Sequence, residues 1–532
     1  MRFIASALFA VIVFGGVFTV QAQDVQSEMI KFGRLLRLID TYYVDTANVN
    51  KLTEDAIVNV LSKLDPHSVY ISKEEVEKMN EPLVGSFEGI GISFNIFRDT
   101  LLVVTTIPGG PSEKVGLMPG DRIMVVDGKP VAGIGLKNSD VMDMLRGDKG
   151  TKVDLGIQRK RNSELLDFTI IRDKIPIYSV DASYMLNDET GYIKINRFAA
   201  TTTEEFLTAM NELKQNSGLK NMVLDLRGNG GGYLKAAIEL ADQFLPNDKL
   251  VVYTEGNNER RKEYKSTGIG EFENGRLVVL IDEGSASASE IVSGAVQDWD
   301  RGIVIGRRSF GKGLVQQPFP LTDGSIVRLT TAHYYTPSGR CIQKPYDDGL
   351  KAYQQDYLTR FENGELFSAD SIHFDEDQVY STLTNKRVVY GGGGIMPDIF
   401  VPLDTSANYV FYNLLVRRNI LNTAVLSYLD NNRTKIRKKY NDFSAYNEDF
   451  AIADDFVDQM VAEAQSEKIE MTEEGEVFAR PLLKKQAKAL IARDIFGPGY
   501  YYQVVNKDEK IIQKAIEVFG NAAEYQKLLV AK

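Results

Sequence analysis

Histidine and cysteine are nearly absent from this chain of 532 residues. It has three histidines, His67, His333 and His373, and one cysteine, Cys341. A single cysteine excludes an intramolecular disulfide and any cysteine-ligated metal cluster. Three scattered histidines leave a histidine-based catalytic triad few candidates. Cys341 follows the turn Thr336-Pro337-Ser338-Gly339-Arg340 with no supporting partner in the sequence, which speaks against a Cys/His dyad. A basic surplus is missing as well. With 62 Lys and Arg against 73 Asp and Glu, the net charge is −11. A phosphate-backbone binder needs a basic face, so no nucleic-acid partner is expected. Beyond the N-terminus no apolar run is long enough to cross a bilayer.

At the N-terminus there is such a run. Arg2 supplies a positive charge, Phe3 to Val20 is apolar, and Val20-Gln21-Ala22 ends on a small residue. That is the layout of a secretory signal peptide, residues 1–22, cut after Ala22. An uncleaved inner-membrane anchor over residues 3–20 is the competing reading. Either one predicts export to the periplasm or cell envelope.

The remaining chain reads as several domains. Apolar residues recur at helical spacing from Met29 to Leu64 and predict an N-terminal helical region, residues 23–80, with a turn at Asp65-Pro66-His67-Ser68. Residues 84–174 switch to five short β-like runs between Gly, Pro and Asp turns, with one helical patch at Lys137 to Leu145, predicting a β-rich module. Residues 175–404 alternate strand and helix patterns, predicting an α/β core with strand ends and helix N-termini along one functional edge. A charged and aromatic insertion, about 346–390, interrupts it. Residues 405–532 read as a helical domain. The expected class is therefore multidomain α+β.

Two segments of the core carry candidate chemistry. Leu277 to Ile281 reads as a strand, Gly284 permits a sharp turn, and Ser287-x-x-Glu290 opens an amphipathic helix. Strand, tight turn and helix project a serine oxygen beside a helix N-terminus that favours an oxyanion. The plainer reading is a capping box. Further on, Phe310-Gly311-Lys312-Gly313 places a lysine where backbone can pack closely. A lysine desolvated there gains a neutral amine able to deprotonate a serine. Taken alone, such a lysine is an ordinary surface residue. Gly306-x-x-x-x-Gly311-Lys312 also approaches a phosphate-binding loop, but Gly313 replaces the metal-holding Ser or Thr, and Pro318 and Pro320 forbid the helix that must follow. Arg227-Gly228-Asn229-Gly230-Gly231-Gly232 lacks the serine of a nucleophile elbow. It offers free backbone N–H groups suited to an oxyanion, or simply a strand-to-helix turn. In the β-rich module, Gly89-Ile90-Gly91-Ile92 opens a strand where backbone N–H groups could converge on a peptide carboxylate.

Gly89 to Val131 resembles a PDZ domain. The Ser287 segment, Phe310-Gly311-Lys312-Gly313-x-Val315-Gln316, and Asp225-x-Arg227-x-Asn229-x-Gly231-Gly232 resemble the carboxyl-terminal processing peptidases, or tail-specific proteases, over roughly residues 30–404. The resemblance implies an exported serine endopeptidase that recognises protein C-terminal tails through its PDZ domain and cleaves through an acyl-enzyme. Ser287 would be the nucleophile, Lys312, 25 residues later, its base, and Gln316 the group orienting the lysine amine. The oxyanion donors would be the N–H groups of Ala288 and of Gly231 or Gly232. Gly89, Ile90, Gly91 and Ile92 would form the carboxylate loop. No cofactor and no metal are expected. Partners would be proteins with accessible tails, with an adaptor or activator and a homo-oligomer as further options. Two other readings compete: a non-catalytic PDZ scaffold, which needs no Ser/Lys pair, and a histidine-dependent PDZ protease, which the misplaced histidines disfavour.

Overall fold

The structure is a computed structural model and describes residues 20–159, 164–215, 218–404 and 409–530. Most of the N-terminal apolar run, residues 1–19, lies outside the described residues. Among those described, no helix is long and apolar enough to cross a membrane.

The core is organised by a six-stranded sheet in the order Val180–Asn187, Thr190–Ile195, Asn221–Asp225, Arg276–Ile281, Ile303–Gly306, Ile399–Phe400. The first pair is antiparallel and the rest are parallel. Parallel strands are buried on both faces, which is why these segments read as unbroken apolar runs. Alternation sends Met222, Leu224, Leu277, Val279 and Ile281 to one face, against the helices Thr202–Lys214, Leu234–Asp242 and Ala288–Asp298. Val223, Val278, Leu280, Ile303 and Ile305 point to the other face. They are covered there by the C-terminal helices Lys510–Gly520 and Ala522–Leu528, through Ile511, Ile512, Val518, Phe519 and Tyr525.

A second sheet, built around the strand Ile326–Tyr335, flanks the core. Leu314–Pro320 pairs along it, while Val69–Ile71 and Leu250–Glu255 pair at its two ends. The short strand Val69–Ile71 brings the preceding turn, Asp65 to Ser68, over the core from the N-terminal helices Val20–Tyr42 and Val49–Leu61.

The β-rich module is a five-strand path, Ile92–Phe97, Thr100–Thr106, Arg122–Val126, Lys152–Gln158, Leu166–Ile171, around its own core with the helix Asn138–Leu145. Ile92–Phe97 lies at the sheet edge. The module joins the core through the pair Ser86–Gly89 and Asp173–Pro176. Residues 409–505 form a helical bundle with a separate core that includes Leu415, Leu429, Tyr446, Met460 and Ile491. Leu426 of this bundle packs on Phe97, Leu102 and Val104 of the module, and Arg122 pairs with Asp430 at 2.8 Å. The expected multidomain α+β class, with an α/β core, a β-rich module and helical ends, is the observed one.

Candidate active site

The strand Arg276–Ile281 ends in a turn whose three serines have different surroundings. Ser285 Oγ donates to Leu226 O at 2.9 Å, and Ser289 Oγ donates to Asn229 O at 2.8 Å; both are fully buried. The outer serines thus stitch this turn to the glycine-rich turn that follows Asn221–Asp225. Ser287 sits between them at φ +55° and ψ −111°, a conformation that costs a non-glycine residue energy and marks functional turns. Its side-chain oxygen makes no capping hydrogen bond. The helix start is capped from the other direction: Ser287 N–H donates to Glu290 Oε2 at 2.8 Å.

Glu290 does more than cap. Its fully buried carboxylate also accepts from Ser309 Oγ at 2.5 Å, Gly311 N at 2.7 Å and Lys312 N at 2.9 Å. One side chain therefore fixes the backbone of Ser287 and of Lys312 together. Burial pushes this carboxyl up to about 7, against the pull of its four donors. Tyr334 adds a second tie, its hydroxyl donating to Ser287 O at 3.1 Å and to Lys312 O. The glycines around the lysine have steric reasons. Gly311 has φ +86°, and a Cβ there would lie 3.1 Å from Gly394 N; a Cβ on Gly313 would lie 2.9 Å from Gln343 N. The insertion helix Gly349–Glu362 braces the same loop, with Arg360 donating to Ser309 O and Arg308 O.

Burial, and then the positive charge of Arg328, bring the Lys312 amine down to about 8, with Glu290 and Asp65 opposing. Lys312 and Ser287 do not hydrogen-bond to each other through their side chains. Gln316 is near but donates to Thr330 Oγ1 at 3.4 Å rather than touching the lysine.

Around the glycine-rich turn, a Cβ on Gly231 would lie 2.8 Å from Ser287 Cβ and 3.0 Å from Ala288 N, so this glycine packs directly on the Ser287 turn. Gly231 N–H, however, donates to Asn229 Oδ1 at 2.9 Å. A Cβ on Gly232 would collide with Phe198 O at 2.1 Å. In the β-rich module, Gly89 ends a strand opposite Asp173 and Gly91 has φ +74°; Ile90 O accepts from Ser112 N and Oγ, and Ile92 starts the edge strand. The site residues expected from sequence thus fall into two groups: Ser287, Ala288, Gly231, Gly232, Lys312 and Gln316 at one edge of the core, and Gly89 to Ile92 at the mouth of the edge strand.

Sequence reasoning read Asp65 to Ser68 as a turn closing a helical region and missed its place beside the site. Asp65 accepts from His67 N at 2.7 Å, Ser68 N at 2.9 Å, Ser68 Oγ at 2.5 Å and Thr330 Oγ1 at 3.0 Å. Burial pushes its carboxyl up, and these donors more than offset that and hold it down. His67 hydrogen-bonds Tyr353 OH at 2.8 Å, and burial, then the charge of Lys312, lower it to about 4. The available signal was chemical: one of only three histidines sits in a polar Asp-Pro-His-Ser cluster. Cys341 has no such setting, since burial pushes its thiol up, away from the thiolate.

Comparison with known proteins gives the family. Residues 189–351 match peptidase family S41, residues 102–159 match the PDZ domain, and residues 411–497 match a family of unknown function. The class is thus a serine peptidase carrying a PDZ domain. The carboxy-terminal-processing protease of Bartonella bacilliformis is 38% identical over 325 residues, covering 60% of this chain and 74% of that one. Carboxy-terminal processing protease CtpB of Bacillus subtilis is 36% identical over 346 residues, 64% of this chain and 71% of that one. Among solved structures, a photosystem II D1 C-terminal processing protease is 31% identical, covering 60% of this chain and 90% of that chain, with a TM-score of 0.35. The chain belongs to the carboxy-terminal processing proteases of peptidase family S41.

Proposed function

We propose that this protein is an exported endopeptidase that captures protein C-terminal tails on its PDZ domain and cleaves with a Ser287/Lys312 dyad. The observation that carries this reading is the Glu290 clamp, which holds the backbone of both residues in one frame while the lysine amine is desolvated. A pure tail-binding scaffold has no use for such an arrangement.

Lys312 swings onto Ser287 Oγ through its own rotatable stem when substrate fills the cleft, since apo geometry is commonly looser than the reactive one. The neutral amine takes the hydroxyl proton as Oγ attacks the scissile carbonyl. Negative charge developing on the carbonyl oxygen is met by the N–H of Ala288, at the start of the helix Ala288–Asp298, and by a glycine N–H of the Gly231-Gly232 turn. The Lys312 ammonium returns its proton to the leaving amine, and water, deprotonated in the same way, releases the acyl group. Gln316 acts on the lysine through Thr330 and Asp65. At the PDZ module, the left-handed turn at Gly91 opens the carboxylate loop, and the unpaired edge of Ile92–Phe97 accepts the tail as an added strand.

Ser287→Ala and Lys312→Ala are expected to lower kcat on an unstructured peptide by at least about a thousandfold, as losing a member of a nucleophile–base pair does. Lys312→Arg should be equally inactive, because guanidinium does not give up its proton near neutral pH. Cleavage by any of the three at the wild-type rate would refute the dyad.

A further inference from the structure

Arg328 stands apart from the other arginines near the active site. Arg307 pairs with Glu283, Arg308 with Glu365, Arg340 with Asp298, and Arg387 with Asp300 and Asp398. Arg328 has no acidic partner among the described residues. Its Nε is buried without a hydrogen-bond partner, and its one polar contact is Nη1 to Met79 Sδ at 3.6 Å. Burial lowers its pKa with no carboxylate opposing. A partly buried cation without a counter-charge is costly to maintain.

Its position gives that cost a purpose. Arg328 lies on the strand Ile326–Tyr335, two residues before Thr330 and on the same face, because no bulge separates the two. Thr330 is the residue that receives Gln316 and binds Asp65. From Ile326 to Thr331 every residue of this strand is only half-buried, so solvent reaches the strand here. On the other side Arg328 meets Met79 of the helix Lys73–Val84. That helix runs directly into Ser86–Gly89 and the carboxylate loop, and Glu81 ties it to Arg146 beside the PDZ helix at 2.6 Å. Arg328 therefore lies between the base and the tail-binding module.

We propose that Arg328 binds a substrate carboxylate on the leaving-group side of the scissile bond. The proposal rests on the dyad reading. The guanidinium offers two N–H donors to one carboxylate, a geometry lysine lacks. The carboxylate comes either from an Asp or Glu side chain in the segment leading toward the PDZ module, or from the terminal carboxylate of a short substrate. Selection for acid near the cut would then be made at the protease core, separately from tail capture.

The test uses the full-length protein and one peptide series. Glu or Gln is placed in turn at the positions after the scissile bond, each peptide with a free or an amidated C-terminus. Wild type should favour the carboxylate-bearing member by about tenfold in kcat/KM, mainly through KM, as a charge-assisted bond supplies. In Arg328→Met the ratio should collapse toward one, and Arg328→Lys should keep part of it. Glu-over-Gln discrimination with both termini that is lost in Arg328→Met supports a side-chain carboxylate; free-over-amidated discrimination that is lost in Arg328→Met, on peptides too short to reach the PDZ module as well, supports the terminal one. A wild-type ratio near one, or a ratio that survives in Arg328→Met, overturns the proposal. If Arg328→Met fails to fold, Arg328→Lys and Arg328→Gln carry the same comparison, and a preference unchanged in either overturns the proposal. An inactive Ser287→Ala control beside a wild-type ratio of one would defeat the Arg328 assignment and leave the dyad standing.

Discussion

At the residue scale, the site depends on side chains made unusual by burial rather than by rare chemistry. Lys312 is an ordinary amine whose charged form is disfavoured, first by burial and then by Arg328. If its neutral form is the base, activity should fall about tenfold per pH unit below roughly 8 and level off above it. Initial rates between pH 6 and 9.5 on an uncharged peptide would measure this; a flat profile would count against Lys312 as the base. The sign for stability is the same. The folded protein releases the Lys312 proton more readily than the unfolded chain, so this group favours folding increasingly as pH rises from about 8 toward the ordinary lysine value of 10.5. Ser287 was legible as one of two things, a cap or a nucleophile. Glu290 resolves the local geometry, because the carboxylate caps the helix and leaves the serine oxygen without a capping role.

At the scale of elements, the lysine loop is a strap pulled tight on three sides. Glu290 holds its backbone from within, Lys344 N donates to Gly311 O at 2.9 Å, and Arg360 of the insertion helix grips Ser309 O and Arg308 O. Gly311→Ala would put a Cβ at φ +86° and 3.1 Å from Gly394 N. The left-handed strain alone costs about 1–2 kcal/mol. The variant is expected to unfold several degrees lower in calorimetry and to lose most of its kcat, because relief of the clash moves the lysine. An unchanged kcat would show that the loop tolerates displacement. The insertion read from sequence as an interruption is, in this respect, part of the site's support. Charged and aromatic composition does not reveal that role, since the supporting atoms are backbone carbonyls of another segment.

At the scale of the whole molecule, the chain's last helices complete its central sheet. Val223, Val278, Leu280, Ile303 and Ile305 are fully buried in one cluster with residues of Lys510–Gly520 and Ala522–Leu528. Glu509 also pairs with Arg227, and Tyr525 hydroxyl bonds both Leu277 N and O. A chain ending at residue 505 would expose much of one face of the parallel strands, which such sheets do not tolerate. It should lose its cooperative thermal transition and its peptidase activity together; retention of both would show that this face is dispensable. Chain order by itself determined much of this protein. Apolar runs and their periods marked the central strands and the helices of the core to within about three residues but left Val180–Asn187, Ile399–Phe400 and Ile326–Tyr335 unread, and glycine, serine and lysine spacings marked the candidate site residues. Those features are local, because backbone sterics and side-chain alternation act between near neighbours in the chain. Only the tertiary structure decided that Asp65 and Gln316 both bond Thr330, that Glu290 holds the Ser287 and Lys312 backbones together, that Arg328 is left without an acid among the described residues, and that a C-terminal helix pair covers the sheet. Each of these joins segments whose meeting depends on how the layers pack, and packing between distant segments leaves no period in the sequence to read.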